Sequence, residues 1–237
     1  MNKRCIVNVA TGEFYCKLQK RLLRSLYKSV DNVINVGING HYAPIKMNNE
    51  GTDIDLMLWT DCLPFGSKTH EESPYGFKVH AIQEAIKRGY TSILWLDSPA
   101  HAVKKDISPI FEKIEKEGYY AMSHVDPLEN WVKMSSIQSL NLKPHDLNGQ
   151  NLPSGSCYGF DLANEDIADL FYEFECEERD GMFKSERISE NGWHRHDEAV
   201  LALLLISYGY PVFTFDPLFQ SDDEKCVIKS GGTNDLH

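Results

Sequence analysis

The sequence predicts an α/β sandwich, with a mixed, mostly parallel central sheet covered by helices on both faces. Two observations carry this prediction. Short apolar, β-branched runs alternate with segments of helical periodicity along most of the chain, as a succession of β–α–β crossovers requires. The run "TSILWLD" (Thr91 to Asp97) is apolar on successive residues instead of alternate ones, which marks a strand covered on both sides.

The elements follow in chain order. "CIVNVAT" (Cys5 to Thr11) is the first strand and meets the turn residue Gly12. From Tyr15 to Tyr27 the apolar residues Tyr15, Leu18, Leu22 and Leu26 keep helical spacing, with basic residues between them. Short strands are expected over Val33 to Val36 and Ile54 to Thr60, the second closed by Asp61 and Pro64, with a loop from Tyr42 to Thr52. Ser73-Pro74 opens a helix whose stripe is Val79, Ile82, Ala85 and Ile86, and Gly89 terminates it. After the central strand, Ser108 caps and Pro109 opens a helix carrying Ile110, Phe111 and Ile114, with Gly118 as its stop.

Tyr119 to Val125 reads as a further strand, followed by an irregular polar stretch to Pro153. "GSCYGFDLAN" is strand-like through Phe160; Asn164 then caps a helix carrying Ile167, Leu170, Phe171 and Phe174, which ends at Gly181. His196 to Gly209 is apolar nearly all round beyond its first turn, the pattern of a buried helix, and "PVFTF" is expected to close with a strand.

With 237 residues and no Pro/Gly/Ser linker, residues 1–237 are expected to form a single domain. A formal charge of -11 opposes long nucleic acid or an anionic membrane as a partner, and the basic stretch Gln19 to Lys28 reads as a solvated helix face. The six cysteines show no C-x-x-C pair, so neither a zinc ribbon nor a dithiol redox motif is expected. They read as reduced thiols, and with neither a signal peptide nor a membrane span in the sequence the expected location is cytoplasmic.

Open α/β sheets take ligands at the carboxyl ends of their strands, which places Asp97, Thr11 and the loop after Val125 on one edge. A carboxylate ending a buried strand needs a partner: a metal ion, a bound hydroxyl or a helix N-terminus. Otherwise Asp97 only caps the turn before Pro99. The densest titratable cluster is "WHRHDE" (Trp193 to Glu198), where a loop enters the buried helix, and Asp197 there either caps the helix or carries chemistry. His101 and His124 lack metal-ligand spacing and read as ordinary structural histidines.

The stretch "PYGFKVHAIQEAIKRGYTSILWLDSPAHAVKKDISPIFEKI" resembles the central block of GT-A-fold glycosyltransferases related to glycogenin and the bacterial lipopolysaccharide galactosyltransferases. In that family a helix with an early lysine leads into a strand ending in Asp-x-Asp, then an "L-S-P-L-F"-like helix start. Lys78, Asp97 and "DISPIF" (Asp106 to Phe111) fall in that order. "PSGSCYGFDLAN" (Pro153 to Asn164) is similar to the family's "N-S-G-v-m-g-f-d-l" strand and "HRHDEAVLAL" to its "D-Q-d-x-l-n" helix start, so the resemblance spans about residues 54 to 208.

The resemblance implies a GT-A fold and transfer of a sugar from a nucleotide-diphosphate-sugar donor to a hydroxyl of an acceptor glycan or other molecule. It implies donor contacts from Thr11 and Asp97, and from Tyr15 unless that ring packs in the core; the small Ser154 and Gly155 suit close approach of a sugar, and Lys78 and Arg195 are the cations for the diphosphate if no metal serves. Asp197 and His196 fall at the reacting centre, either one as base or Asp197 orienting the sugar; Trp131 either offers a face to the acceptor or packs its loop. Pro99 stands at the third position of Asp-x-Asp and cannot ligate. Either a manganese or magnesium ion rests on Asp97 with other help, or side-chain cations balance the diphosphate with no metal. Two other classes fit the scaffold: a non-catalytic sugar-nucleotide- or glycan-binding protein, and a nucleotidyl transferase, which the lack of an early glycine-rich phosphate loop disfavours.

Overall fold

The computed structural model describes residues 3–26, 32–38, 53–59, 72–188, 193–212, 216–220 and 222–231. Among the described residues six strands form one sheet: β1 (Arg4–Thr11), β2 (Asn32–Ile38), β3 (Asp53–Trp59), β4 (Ser92–Leu96), β6 (Tyr119–Pro127) and β7 (Asn151–Asp161), in the order β3-β2-β1-β4-β7-β6. β1 to β4 pair in parallel, and β7 runs antiparallel to both β4 and β6. The reversal has a local cause. β6 ends at the carboxyl edge, and the segment after it stays there as short helical turns, Leu128–Asn130 and Pro144–Leu147, around α4 (Met134–Ser139). The chain re-enters the sheet from the edge it has just left, so β7 runs back down.

β4 is buried at every position, as its unbroken apolar run predicts. Ile93 and Trp95 join the core under α2 (Phe77–Lys87), α5 (Glu165–Arg179) and α6 (His196–Ser207), while Leu94 and Leu96 join the opposite core under α1 (Gly12–Ser25) and α3 (Ser108–Glu117). Each fully buried Leu or Ile of this strand contributes roughly 1.5–3 kcal/mol. A third, smaller core places Val132, Ile137, Leu147 and Leu152 on the Ala199, Ala202 and Leu203 face of α6. That packing turns the stretch expected to be irregular into ordered turns and a short helix.

Several local expectations change. In α1 the buried residues are Cys16, Leu18, Gln19, Leu22 and Leu23, and Tyr15 faces outward. Gln19 takes a core position because its amide donates to Asn8 Oδ1 at 2.8 Å, and Asn8 donates in turn to Leu96 O at 2.6 Å. The cap of α3 is not Ser108: the Ser108 N–H donates to Asp106 Oδ1 at 2.9 Å, with Pro109 in the first turn. Ile86 lies at the margin of the α2 stripe and is 37% exposed. The Asn164 cap forms, accepting from the Asp166 N–H at 3.0 Å, and Gly89, Gly118 and Gly181 end their helices at positive φ. A two-stranded pairing of β5 (His101–Ala102) with β8 (Ile228–Lys229) had no signal in the sequence. Residues 42–52, Asp61, Pro64 and residues 213–215 of the expected last strand lie outside the described residues. No described helix is long and apolar enough to cross a membrane.

Candidate functional site

At the carboxyl edge of β4 the sheet delivers charge into a buried place. The Asp97 N–H donates to Ser156 O at 3.0 Å, which fixes the first residue beyond β4 against β7. Alternation along the strand puts Asp97 on the same face as Trp95, whose indole N–H donates to Asp97 Oδ1 at 2.8 Å. Lys78 stands in the first turn of α2 above this face, with its side chain only 2% exposed. Its ammonium donates to Asp197 Oδ2 at 2.8 Å and to Gly155 O at 2.9 Å, and lies 3.5 Å from Asp97 Oδ1. The rings of Tyr75, Trp95 and Tyr158 close round it with centroids at 5.0, 5.3 and 5.6 Å.

An unpaired ammonium in such a place would cost several kcal/mol, so the two carboxylates and three aromatic faces are what allow it to stay ionised. Burial acts to lower the Lys78 pKa, but Asp197 and then Asp97 outweigh it and hold the ammonium well above the ordinary lysine value. Burial raises the carboxyls of Asp97 and Asp197 above the ordinary range, against the pull of Lys78.

A second layer holds the first. The Gly155 N–H donates to Glu198 Oε1 at 2.9 Å, and the other Glu198 oxygen takes the Arg195 guanidinium at 3.2 Å. A Cβ on residue 155 would fall 2.6 Å from Glu198 Oε1 and 3.1 Å from Lys78 Nζ. The space that Gly155 leaves is thus filled by Glu198 and Lys78. The Arg195 N–H donates to Trp131 O at 3.0 Å, and its guanidinium lies 5.5 Å over the Trp131 ring.

Two non-glycine residues with positive φ meet beside Lys78: Tyr75 at 64° and His196 at 48°, their rings 5.2 Å apart. Each such conformation costs about 1–3 kcal/mol and concentrates at functional sites. His196 Nδ1 lies 3.0 Å from Phe183 O. A carbonyl only accepts, so Nδ1 carries the proton and Nε2 is left as the acceptor nitrogen.

His194 fixes the approach to this helix. It is fully buried, its Nε2–H donates to Met182 O at 2.8 Å, and its Nδ1 accepts the Lys133 N–H at 3.4 Å. Burial holds its pKa down from 6.5 to about 4. Between those values the unfolded chain binds the extra proton. The stability that neutral His194 contributes is therefore complete above 6.5 and is lost as pH falls toward about 4, up to about 3 kcal/mol in all. Urea unfolding of wild type and His194→Gln across this range checks it: the wild-type curve should fall more steeply with acid, and parallel curves would show that His194 does not carry the effect.

Of the residues expected at the site, Lys78, Asp97, Gly155, Arg195, His196 and Asp197 come together, and Trp131 joins through Arg195. Ser154 lies buried beside them, its Oγ accepting from the Ser156 N–H at 3.3 Å. Thr11 ends β1 on the same edge, with its side chain outside the described residues, as is that of His124. Tyr15 is 47% exposed on α1 and packs edge-on against Phe14. His101 lies in β5 opposite Lys229. Nothing in the sequence marks Tyr75, Trp95 and Tyr158 as the walls of the site, or Glu198 as the clasp on Gly155.

The donor set does not fit a divalent metal. Asp97 faces an ammonium and an indole N–H, both of which oppose a cation, and Pro99 offers no side-chain ligand. Among the described residues no group of three or more His, Cys, Asp or Glu side chains is placed to hold a metal ion.

No protein-family model matches this chain, and no curated protein matches it. Among solved structures it is similar to the bifunctional glycosyltransferase WbbM in its apo form, with 12% sequence identity and a TM-score of 0.54 over 98% of this chain and 46% of that one. The chain thus spans less than half the length of that protein. At such low identity the likeness concerns the fold: the chain has a Rossmann-like, glycosyltransferase-type α/β fold with a mixed sheet.

Proposed function

We propose that the chain is a glycosyltransferase that moves a sugar from a nucleotide-diphosphate-sugar donor to an acceptor hydroxyl. The observation that carries the reading is the buried Lys78–Asp197 pair with the half-buried Asp97 beside it at the carboxyl edge of the parallel strands, in a fold of glycosyltransferase type. Two ionised groups in a core that apolar residues would fill at lower cost, with a third carboxylate at its margin, are evidence of use.

In this reading the donor lies along the carboxyl edges of β1 and β4. Asp97, with 29% of its side chain exposed, accepts from a hydroxyl of the sugar or ribose. The Lys78 ammonium is already taken up by protein oxygens, so the diphosphate falls to Arg195, which is 46% exposed and needs only to leave Glu198. The acceptor oxygen attacks the anomeric carbon, its proton passes to His196 Nε2, and the bond to the diphosphate breaks with its electron pair leaving on phosphate oxygen. Asp197, held by Lys78, stabilises the positive charge that develops on the sugar. The half-exposed Trp193 and the edge of Trp131 left by Arg195 are the aromatic surfaces for an acceptor ring.

A second reading, a sugar-nucleotide- or glycan-binding protein without turnover, draws on the fact that Asp97, Asp197 and Glu198 all already have partners inside the protein. One experiment decides between them. Uridine, guanosine and thymidine diphosphate sugars are incubated with wild type and Asp97→Ala, and both nucleoside diphosphate release and donor binding are measured. Release by wild type, with binding lost in Asp97→Ala, is expected. Binding with no release selects the second reading, and neither release nor donor binding by wild type removes both.

A further inference from the structure

The oxygens round Lys78 Nζ come from three separate elements: Asp97 just past β4, Gly155 O in β7 and Asp197 in the first turn of α6. They converge on one point, and two of them are carboxylates. Carboxylate and carbonyl oxygens gathered in this way are the donor types of a hard divalent cation. Here the point is occupied by an ammonium that enters from a fourth element, α2.

We propose that Lys78 is a built-in cation: its ammonium fills a cation site formed by Asp97, Asp197 and Gly155 O, so that the native chain takes no divalent metal there and loss of the ammonium turns the same oxygens into a metal site. Four features support this. Lys78 is 2% exposed, so its ammonium is a resident of the site and not a passing partner. The carbonyl of Gly155 is held in place because its own N–H is clasped by Glu198, and a Cβ at that position would displace the Glu198 carboxylate that does so. The rings of Tyr75, Trp95 and Tyr158 cover the other side of the ammonium and keep water from competing for it. Finally, Pro99 removes the second carboxylate of the Asp-x-Asp pattern, and the ammonium stands beside the carboxylate that remains.

The charge balance agrees. With Lys78 in place the two carboxylates carry a net single negative charge. With the lysine truncated they carry two in a confined space, which a divalent ion neutralises and which costs dearly without one. The inference rests on the arrangement of these oxygens and not on sugar transfer, so an absence of transferase activity leaves it standing and its failure leaves the transferase reading intact.

The test is manganese binding to the full chain after removal of trace metal, read as loss of the free Mn2+ electron paramagnetic resonance signal and by titration calorimetry. Wild type is expected to take up no stoichiometric Mn2+. Lys78→Ala is expected to bind one Mn2+ per chain, at least about tenfold more tightly than wild type, and to gain thermal stability with the ion. Lys78→Ala/Asp197→Asn should lose the gain. Lys78→Gln, whose amide keeps a hydrogen bond to the carboxylates, carries the same comparison where the alanine variant does not fold. Wild type that binds one Mn2+, lost in Asp97→Asn, overturns the proposal. So does a folded Lys78 variant with no gain in Mn2+ binding.

Discussion

Lys78→Met in metal-free buffer is expected to lower unfolding free energy by about 3–5 kcal/mol, the cost of breaking a buried ion pair from one side. Methionine matches much of the lysine stem, so little of the loss comes from a void. The cost lies in what remains: the buried Asp197 and the half-buried Asp97, which shared the lost ammonium, are left without it. Their carboxyls are already raised by burial, and loss of Lys78 raises them further. A raised carboxyl means that the folded state binds more protons than the unfolded chain between the ordinary value, 3.8, and the folded one. Stability in that window therefore falls as pH rises. Relative to wild type, which shares the His194 slope of opposite sign, the variant should therefore lose more stability at about pH 7 than at about pH 5. Denaturant unfolding of wild type and variant at the two pH values isolates the difference, and adding Asp197→Asn should return part of the loss. A total loss below about 1 kcal/mol would mean that the three groups are not coupled as drawn.

His196→Asn should lower donor turnover by about 10²–10⁴-fold while leaving donor affinity and thermal stability close to wild type. Asparagine is chosen because it tolerates positive φ, the conformation that residue 196 adopts at 48°, and its amide can still donate to Phe183 O. What it lacks is a ring nitrogen able to take a proton. Steady-state release of nucleoside diphosphate with a competent acceptor, set beside calorimetric donor binding, separates the two effects. An unchanged turnover rate would remove His196 as the base. A matched loss of binding and turnover would give it a place in donor binding instead.

Much of the fold could be read from the chain because the relevant forces are local. The unbroken apolar run of β4, the Asn164 cap and the glycines after three helices depend on burial or on backbone conformation near their own positions. What could not be read depends on chain segments distant in sequence. α4 is held by the apolar face of α6, and the burial of Gln19 depends on Asn8 in the neighbouring strand. β7 is antiparallel because of where the preceding excursion stays, and the residues of β7 do not specify that.

The site was half legible for the same reason. Lys78 and Asp197 each head the buried stripe of their helix, before Ile82 and Ala85 in α2 and before Leu201 and Leu204 in α6. A charge at the head of an apolar stripe signals a buried partner, and two such charges of opposite sign invite pairing. The sequence shows the two heads but not that they face each other across β4 and β7. That is why Lys78 reads as a cation for the diphosphate until the Asp197 and Gly155 oxygens are seen around it.

The same pairing also orders events in time. Lys78 and Asp197 are 119 residues apart, and Lys78 and Gly155 are 77 apart. Closing loops of that length carries an entropic cost that falls before the contact repays any of it, so such contacts form after the nearer ones. Until α6 arrives, the ammonium has no deep partner to enter the core with and stays in water. The closure that brings α6 onto α2 is therefore also the step that assembles the proposed reacting centre, and a chain that has not made it has no site to misuse.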